Sequence, residues 1–205
     1  WKRIRRRLKG KPDPELARVR REALELLEKQ SRKGHIDLLY ADETTVSQQG
    51  FVPYGWQGPK ESVAIEVTRG RSLRCFGLLS RTNTFHSRTT EDNINSQWIL
   101  ETLEEFSQTL RKPTVVVLDN ARIHTSKKIH ARIEVWQERG LFLFYLPPYS
   151  PHLNIIERFW KELKEGWLRP CDYLSAEHLF AAVHRIFAAV GDTYGLQFSK
   201  YDFKS

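Results

Sequence analysis

Apolar and polar residues alternate along several short runs in the first half of the chain, a pattern typical of half-buried β-strands. Each run is bounded by turn-forming residues such as glycine, proline and asparagine. The predicted strands cover residues 35–40, 45–52, 62–68, 73–79 and 83–88. Because short turns join the last three of them, we predict an antiparallel meander there.

In the second half, two apolar runs predict strands at 115–118 and 141–146. Segments with apolar residues at helical spacing lie before, between and after these two runs. The predicted helices cover residues 95–110, 126–139, 154–168 and 175–190. A meander followed by alternating strands and helices predicts an α/β fold, a ribonuclease H-like mixed sheet flanked by helices. Seven aromatic residues occur at core-like spacing: Trp136, Phe142, Phe144, Phe159, Trp160, Phe180 and Phe187. We expect them in the core.

Before the first strand lies a strongly basic arm, followed by a charged helix predicted from Pro14 to Lys33 with Asp13 as its cap. The arm's cations are Arg3, Arg5, Arg6, Arg7, Lys9 and Lys11, together with Lys2. They explain much of the net charge of +8, which favours an acidic partner such as nucleic acid. The arm and helix are therefore interpreted as a linker that contacts DNA or a second subunit, with a solvated charged helix as the alternative.

Length and cysteine content limit the class of protein further. A chain of 205 residues is long enough for one main domain with a sizeable core. No apolar run approaches the roughly 18 residues that a membrane span requires. Only Cys75 and Cys171 are present, which favours a reducing compartment, and we expect a cytoplasmic protein without a membrane segment. The chain begins at Trp1 and lacks methionine, so we expect a fragment of a longer product.

Three acidic residues lie at the predicted ends of different elements. Asp42 follows the first strand, Asp119 follows the apolar strand, and Glu157 lies at the start of a helix. Carboxylates brought together from separate elements can hold divalent cations for phosphodiester chemistry. Each also has a structural explanation, since Asp119 could cap a turn and Glu157 has Lys161 four positions later, at salt-bridge spacing.

Two motifs surround these acids and make the pattern specific. They are Leu118-Asp119-Asn120-Ala121-Arg122-Ile123-His124 and Tyr145-Leu146-Pro147-Pro148-Tyr149-Ser150-Pro151-His152-Leu153-Asn154-Ile155-Ile156-Glu157. Together with Asp42-Glu43 and the turn Gly55-Trp56-Gln57-Gly58, they resemble the DDE catalytic domain of IS630-type transposases in the Tc1/mariner superfamily. The resemblance covers about residues 35–170.

This resemblance implies that Asp42, Asp119 and Glu157 are catalytic metal ligands for Mg²⁺, with Mn²⁺ as a substitute. It implies cutting at transposon DNA ends and strand transfer into target DNA, by a homodimer assembled on that DNA. Asn120, His124 and Asn154 would support the site. The implied divisions are a basic linker with a charged helix (1–34), the DDE catalytic domain (35–190) and a C-terminal tail (191–205).

Two other functions fit the same residues. One is a catalytically idle DNA-binding or dimerisation remnant of a mobile element, although the three intact carboxylates argue against it. The other is a related nuclease or integrase of the same fold, which would share the metal chemistry. Strand-transfer products would distinguish a transposase from a nuclease.

Overall fold

The computed structural model describes residues 13–48, 70–148 and 150–198, which form a five-stranded sheet flanked by helices. The strands are β1 (Asp37–Ser47), β2 (Ser72–Leu79), β3 (Phe85–Thr90), β4 (Thr114–Leu118) and β5 (Leu141–Tyr145). The helices are α1 (Pro14–Arg32), α2 (Ser96–Ser107), α3 (Lys127–His130), α4 (Ile133–Glu138), α5 (Ile156–Glu162) and α6 (Ala176–Ala188). The predicted α/β class is confirmed.

The sheet has the order β3-β2-β1-β4-β5, with β1 at its centre. Strands β1, β2 and β3 form an antiparallel meander, whereas β4 and β5 run parallel to β1. Parallel neighbours require crossover connections, and α3 and α4 lie in the connection between β4 and β5. The mixed sheet therefore places the carboxyl ends of β1, β4 and β5 on the same edge.

Each face of the sheet has its own hydrophobic core, because successive side chains of a strand point to opposite faces. In β1, Leu38 and Tyr40 pack in the core that contains residues of α1, α5 and α6. Leu39 and Ala41 pack in the second core, with residues of α2, α3 and α4. Helix α5 is thereby held against the face that Asp42 shares with Tyr40 by strand alternation.

Helix α1 begins as the sequence predicts. The carboxylate of Asp13 accepts hydrogen bonds from the backbone N–H groups of Glu15 (3.0 Å) and Leu16 (3.4 Å), which have no partner within the first helical turn. Farther along α1, the carboxylate of Glu28 is only 2% exposed and accepts hydrogen bonds from the Tyr40 hydroxyl and from Nε of Arg81 (2.5 Å for the latter). This buried contact fixes α1 against the sheet.

Several predicted elements differ from the structure. The helix expected at 126–139 is two short helices, α3 and α4, and the helix expected at 154–168 begins at Ile156 and ends in a π-helical turn, Leu163–Trp167. Phe142 was expected in the core but is 39% exposed on the edge strand β5. The strand predicted at 62–68 and the turn near Trp56 lie outside the described residues. Within residues 13–48, 70–148 and 150–198, no helix is long and apolar enough to cross a membrane.

Candidate active site

A cavity of about 470 Å³ lies beside the carboxyl ends of the parallel strands. Its lining includes three carboxylates from different elements: Asp42 of β1, Asp119 directly after β4, and Glu157 in the first turn of α5. The remaining lining residues are Asn120, Ala121, Leu146, Pro147, Pro148, Ser150, Pro151 and Asn154. The structure thus brings the three sequence-predicted acids to one place.

Strand register explains why Asp42 and Asp119 lie level with each other. The parallel ladder between β1 and β4 ends with the pair Tyr40 and Val117, and each aspartate follows two residues later. Beyond that pair β1 remains bonded to β2, with Asp42 opposite Gly77. The prediction that Asp42 ends its strand is therefore wrong, because β1 continues to Ser47. The cavity opens where the β1–β4 ladder stops.

Buried aromatic residues of α5 position Glu157. Ile156, Phe159 and Trp160 form the buried side of this helix, while Glu157 is exposed. The ring of Trp160 lies against Gly77, where a Cβ would come within 2.8 Å of it. The sheet thus accommodates a large indole directly beside the strand that carries Asp42.

Two asparagines hold the loops around the cavity. Nδ2 of Asn154 donates to the carbonyl oxygen of Ala41, which directly precedes Asp42, over 3.2 Å. Nδ2 of Asn120 donates to the carbonyl oxygen of Leu146. Both are predicted to support the site; Asn120 bonds to the backbone of a lining residue, and Asn154 bonds to the backbone of the residue before Asp42.

His124 is completely buried between two acidic residues. Its Nδ1 lies 2.7 Å from Oδ1 of Asp119, and its Nε2 lies 2.6 Å from Oε1 of Glu43. Burial opposes a charge on the ring, but the hydrogen bonds and charges of the two carboxylates outweigh it and raise the pKa of His124 to about 9. His124 lowers the pKa of Asp119 in turn, with help from the Ala121 N–H.

Sequence reasoning gave Glu43 no role. The available signal was its place beside Asp42, but nothing local indicates that a histidine 81 residues later contacts it. Adjacent side chains of a strand point to opposite faces of the sheet, so Glu43 and Asp42 lie on different faces.

The charge on the cavity wall favours a bound cation. Burial first, and then the negative charges of Glu157, Glu43 and Asp119, together raise the pKa of Asp42 to about 7 against the opposing effect of a backbone hydrogen bond. Carboxylate oxygens are the ligands that hard divalent cations prefer, so the donor set fits Mg²⁺ or Mn²⁺. Within the described part of the chain, no three His, Cys, Asp or Glu side chains are arranged so that they could already hold a metal ion.

A neighbouring cleft of about 550 Å³ shares Asp42 and Glu157 and adds two lysines, Lys161 and Lys164. Burial lowers the pKa of Lys164, whereas the nearby thiol of Cys75 and the two shared carboxylates oppose that effect. Lys164 lies in the π-helical turn that follows α5, a distortion common at functional sites. The carboxylates therefore have cationic side chains on one side.

A different cavity, of about 450 Å³, lies near the start of β1 and includes Glu28 and Asp37. Both acids already have cationic partners, since Glu28 pairs with Arg81 and Asp37 pairs with Lys112 at 3.0 Å. This cavity lacks a cluster of unpaired acids, and so the carboxylate cavity is the better candidate for metal chemistry. The predicted DNA-binding residues of the arm, from Arg3 to Lys11, lie outside the described residues.

The sheet order, the flanking helices and the acids at one edge define a ribonuclease H-like fold. The family model for DDE superfamily endonuclease matches residues 37–179, which is more than half of the chain. The chain belongs to this family. No curated protein sequence matches it.

Solved structures with the same fold include the Mos1 mariner paired end complex with Mn, at a TM-score of 0.61 and 15% identity over 92% of this chain. The Mos1 strand transfer complex aligns at a TM-score of 0.57 and 15% identity, again over 92% of this chain. This chain spans only 60% and 58% of those two Mos1 chains. The separate catalytic domain of Mos1 mariner transposase aligns at 0.54 and 15% identity, over 91% of this chain and 85% of that chain.

Proposed function

We propose that this chain is the catalytic domain of an IS630-type transposase of the Tc1/mariner superfamily, which cuts DNA at transposon ends and transfers the strands into target DNA. The observation that carries this proposal is the meeting of Asp42, Asp119 and Glu157 at one cavity. Membership of the DDE superfamily endonucleases supports it. So does the fold shared with Mos1, whose structures include a paired end complex and a strand transfer complex.

In this proposal the three carboxylates hold two Mg²⁺ ions, for which Mn²⁺ can substitute. When bound, such ions make an attacking water or hydroxyl more nucleophilic and stabilise the leaving oxygen. Asp42 approaches from within β1, Asp119 from the end of β4 and Glu157 from α5, so the ligands come from independently packed elements. Asn120, His124 and Asn154 keep the surrounding loops in place through the contacts described above.

DNA is the proposed partner, and its backbone would approach the carboxylates beside Lys161 and Lys164. The basic arm, including Arg3, Arg5, Arg6, Arg7, Lys9 and Lys11, would add contacts to phosphates. The proposed organisation is a linker with α1 (1–34), the DDE catalytic domain (35–190) and a tail (191–205), paired as a homodimer on the DNA. Cys75 and Cys171 are both free thiols, which supports a reducing compartment such as the cytoplasm.

Cleavage and joining with short DNA duplexes test this function. Duplexes ending in a 3′ hydroxyl would be incubated with plasmid target and Mg²⁺ or Mn²⁺. We expect nicked and joined products from the unmodified chain and from the control Glu138→Gln, which changes an exposed acid of α4. Asp42→Asn and Glu157→Gln should reduce both products to background. Undiminished activity in these two variants would contradict the residue assignment.

The product pattern also separates the alternatives. Nicking without joining would indicate a nuclease of the same fold. No product from the unmodified chain, combined with DNA binding, would indicate an idle remnant.

A further inference from the structure

Glu43 is an acidic residue of β1 for which the proposed chemistry has no direct use. Its side chain is 21% exposed, and Oε1 lies 2.6 Å from Nε2 of the fully buried His124. Keeping a carboxylate largely away from water costs free energy unless it is well paired, so the contact with His124 is important for this position. The other nitrogen of the same histidine ring contacts Asp119.

The ring of His124 connects Glu43 to Asp119 through its two nitrogens. Nδ1 lies 2.7 Å from Oδ1 of Asp119, and the same oxygen accepts the backbone N–H of Ala121 over 2.9 Å. Each ring nitrogen therefore lies at hydrogen-bond distance from a carboxylate oxygen. Two partners on opposite sides of the ring leave it little freedom to rotate.

The two carboxylate oxygens of Asp119 differ in their hydrogen bonding. Oδ1 carries both hydrogen bonds, whereas Oδ2 has none among the residues that the structure describes. A carboxylate held by one oxygen keeps the other available for a cation. Outer hydrogen bonds of this type orient metal ligands in many proteins.

The bridge also lies where the sheet no longer connects the two strands. Strands β1 and β4 are paired only as far as Tyr40 and Val117, short of both aspartates. Beyond that point, Glu43–His124–Asp119 joins residues on the two sides of the opening.

We propose that Glu43 is a positioning residue that acts through His124: it fixes the ring that holds Oδ1 of Asp119, and thereby keeps Oδ2 of Asp119 set for a divalent cation. Glu43 itself binds neither metal nor DNA in this arrangement. The inference rests on the proposed function, since it assumes that Asp119 is a metal ligand.

Titration of the DNA-free chain with Mn²⁺ by calorimetry tests this role without relying on catalysis. The variants are Glu43→Ala, which removes the acceptor, and Glu43→Gln, which keeps an accepting oxygen of similar size. Glu138→Ala is the matched control, because this acid is exposed on α4. The fourth and fifth variants are His124→Ala and the double variant of Glu43→Ala with His124→Ala.

We expect Glu43→Ala to weaken Mn²⁺ binding about tenfold or more, the usual range for outer residues of metal sites. Glu43→Gln should restore part of the loss, and Glu138→Ala should bind like the unmodified chain. If Glu43 acts only through His124, the double variant will bind no more weakly than His124→Ala alone. Should Glu43→Ala fail to fold, as judged by circular dichroism, Glu43→Gln and the control decide the question.

Two results would overturn the inference while leaving the proposed function intact: normal Mn²⁺ affinity in a folded Glu43→Ala chain, or fully additive losses in the double variant. If the unmodified chain binds no Mn²⁺, the proposed metal chemistry fails and the role of Glu43 fails with it.

Discussion

Gly77 of β2 faces the indole of Trp160 in α5 so closely that a Cβ at position 77 would lie 2.8 Å from Cη2 of that ring. The same Cβ would also lie 2.8 Å from Cε2 of Phe85. Because Gly77 is paired with Asp42 and Trp160 lies three residues after Glu157, this contact controls the spacing between two cavity carboxylates. Backbone packing and site geometry therefore depend on the same glycine.

Gly77→Ala should consequently destabilise the chain by about 1–3 kcal/mol, because overpacking displaces either the strand or α5. Urea unfolding measures this loss. Gly195→Ala is the control, since its Cβ would lie 3.4 Å or more from the nearest atoms, which belong to the side chain of Asn83. Equal stability of the two variants would show that α5 packs less tightly than the structure indicates.

The pairing of His124 with Asp119 and Glu43 predicts a loss of stability in mild alkali. Its pKa in the folded chain is about 9, above the ordinary value of 6.5 that applies when the chain unfolds. Protonation therefore favours folding fully below pH 6.5, and this contribution disappears as the pH rises through 9. The expected loss is on the order of 3 kcal/mol between these values. It is measured as the free energy of unfolding at several pH values.

A His124→Phe variant serves as the comparison, because its ring cannot titrate. The difference in stability between the two chains should shrink as the pH rises from 6.5 to 9. Parallel pH profiles would contradict a charged His124.

The raised pKa of Asp42 predicts that cation binding depends on pH. Burial and the neighbouring carboxylates raise its pKa to about 7, so below that pH a cation must displace a proton. Mn²⁺ affinity should rise about tenfold between pH 6 and pH 8, and calorimetry in buffers of different ionisation enthalpy should detect released protons. In the metal-free chain the same raised pKa favours the folded state below pH 3.8 and loses that contribution as the pH rises through 7. Asp42→Asn should remove most of the pH dependence of binding, and an unchanged profile would contradict it.

The contacts of Glu28 with Tyr40 and Arg81 should contribute to the stability with which α1 packs on the sheet. Glu28→Ala would leave Arg81 and the Tyr40 hydroxyl without their shared acceptor. Because Arg81 is 27% exposed and can still reach water, we expect a loss of roughly 2–3 kcal/mol, below the full cost of breaking a buried pair. Thermal unfolding would detect it. Glu25→Ala, which changes an exposed acid on the same helix, should leave the melting temperature within about 1–2 °C of the unmodified chain.

Much of the fold follows from local patterns in the sequence. The apolar run at β4 and the cap Asp13 place strand and helix boundaries within a few residues, because burial and capping are decided locally. The prediction of one continuous helix from Ser126 to Arg139 is wrong, because the structure has two short helices there. There the cap of α3 at Ser126 is followed by a break at Ala131 and Arg132, which periodicity alone does not detect.

The candidate site is less visible in local patterns. The predicted element ends and the surrounding motifs indicate Asp42, Asp119 and Glu157, but only the strand register shows why the two aspartates are level. The contact between Glu43 and His124 joins residues far apart in the sequence, so neither spacing nor composition could predict it. Phe142 was wrongly assigned to the core because an edge strand and a central strand share the same apolar composition.

In the proposed function, three acids from separate elements hold a divalent cation together. The most direct measurement is a crystal structure of the chain grown with Mn²⁺, with anomalous scattering recorded to locate the metal. We predict anomalous density in the carboxylate cavity within coordination distance of Asp42, Asp119 and Glu157, with Oδ2 of Asp119 as the bound oxygen. A Mn²⁺-saturated crystal with no density there, or with density held by other residues, would contradict the account.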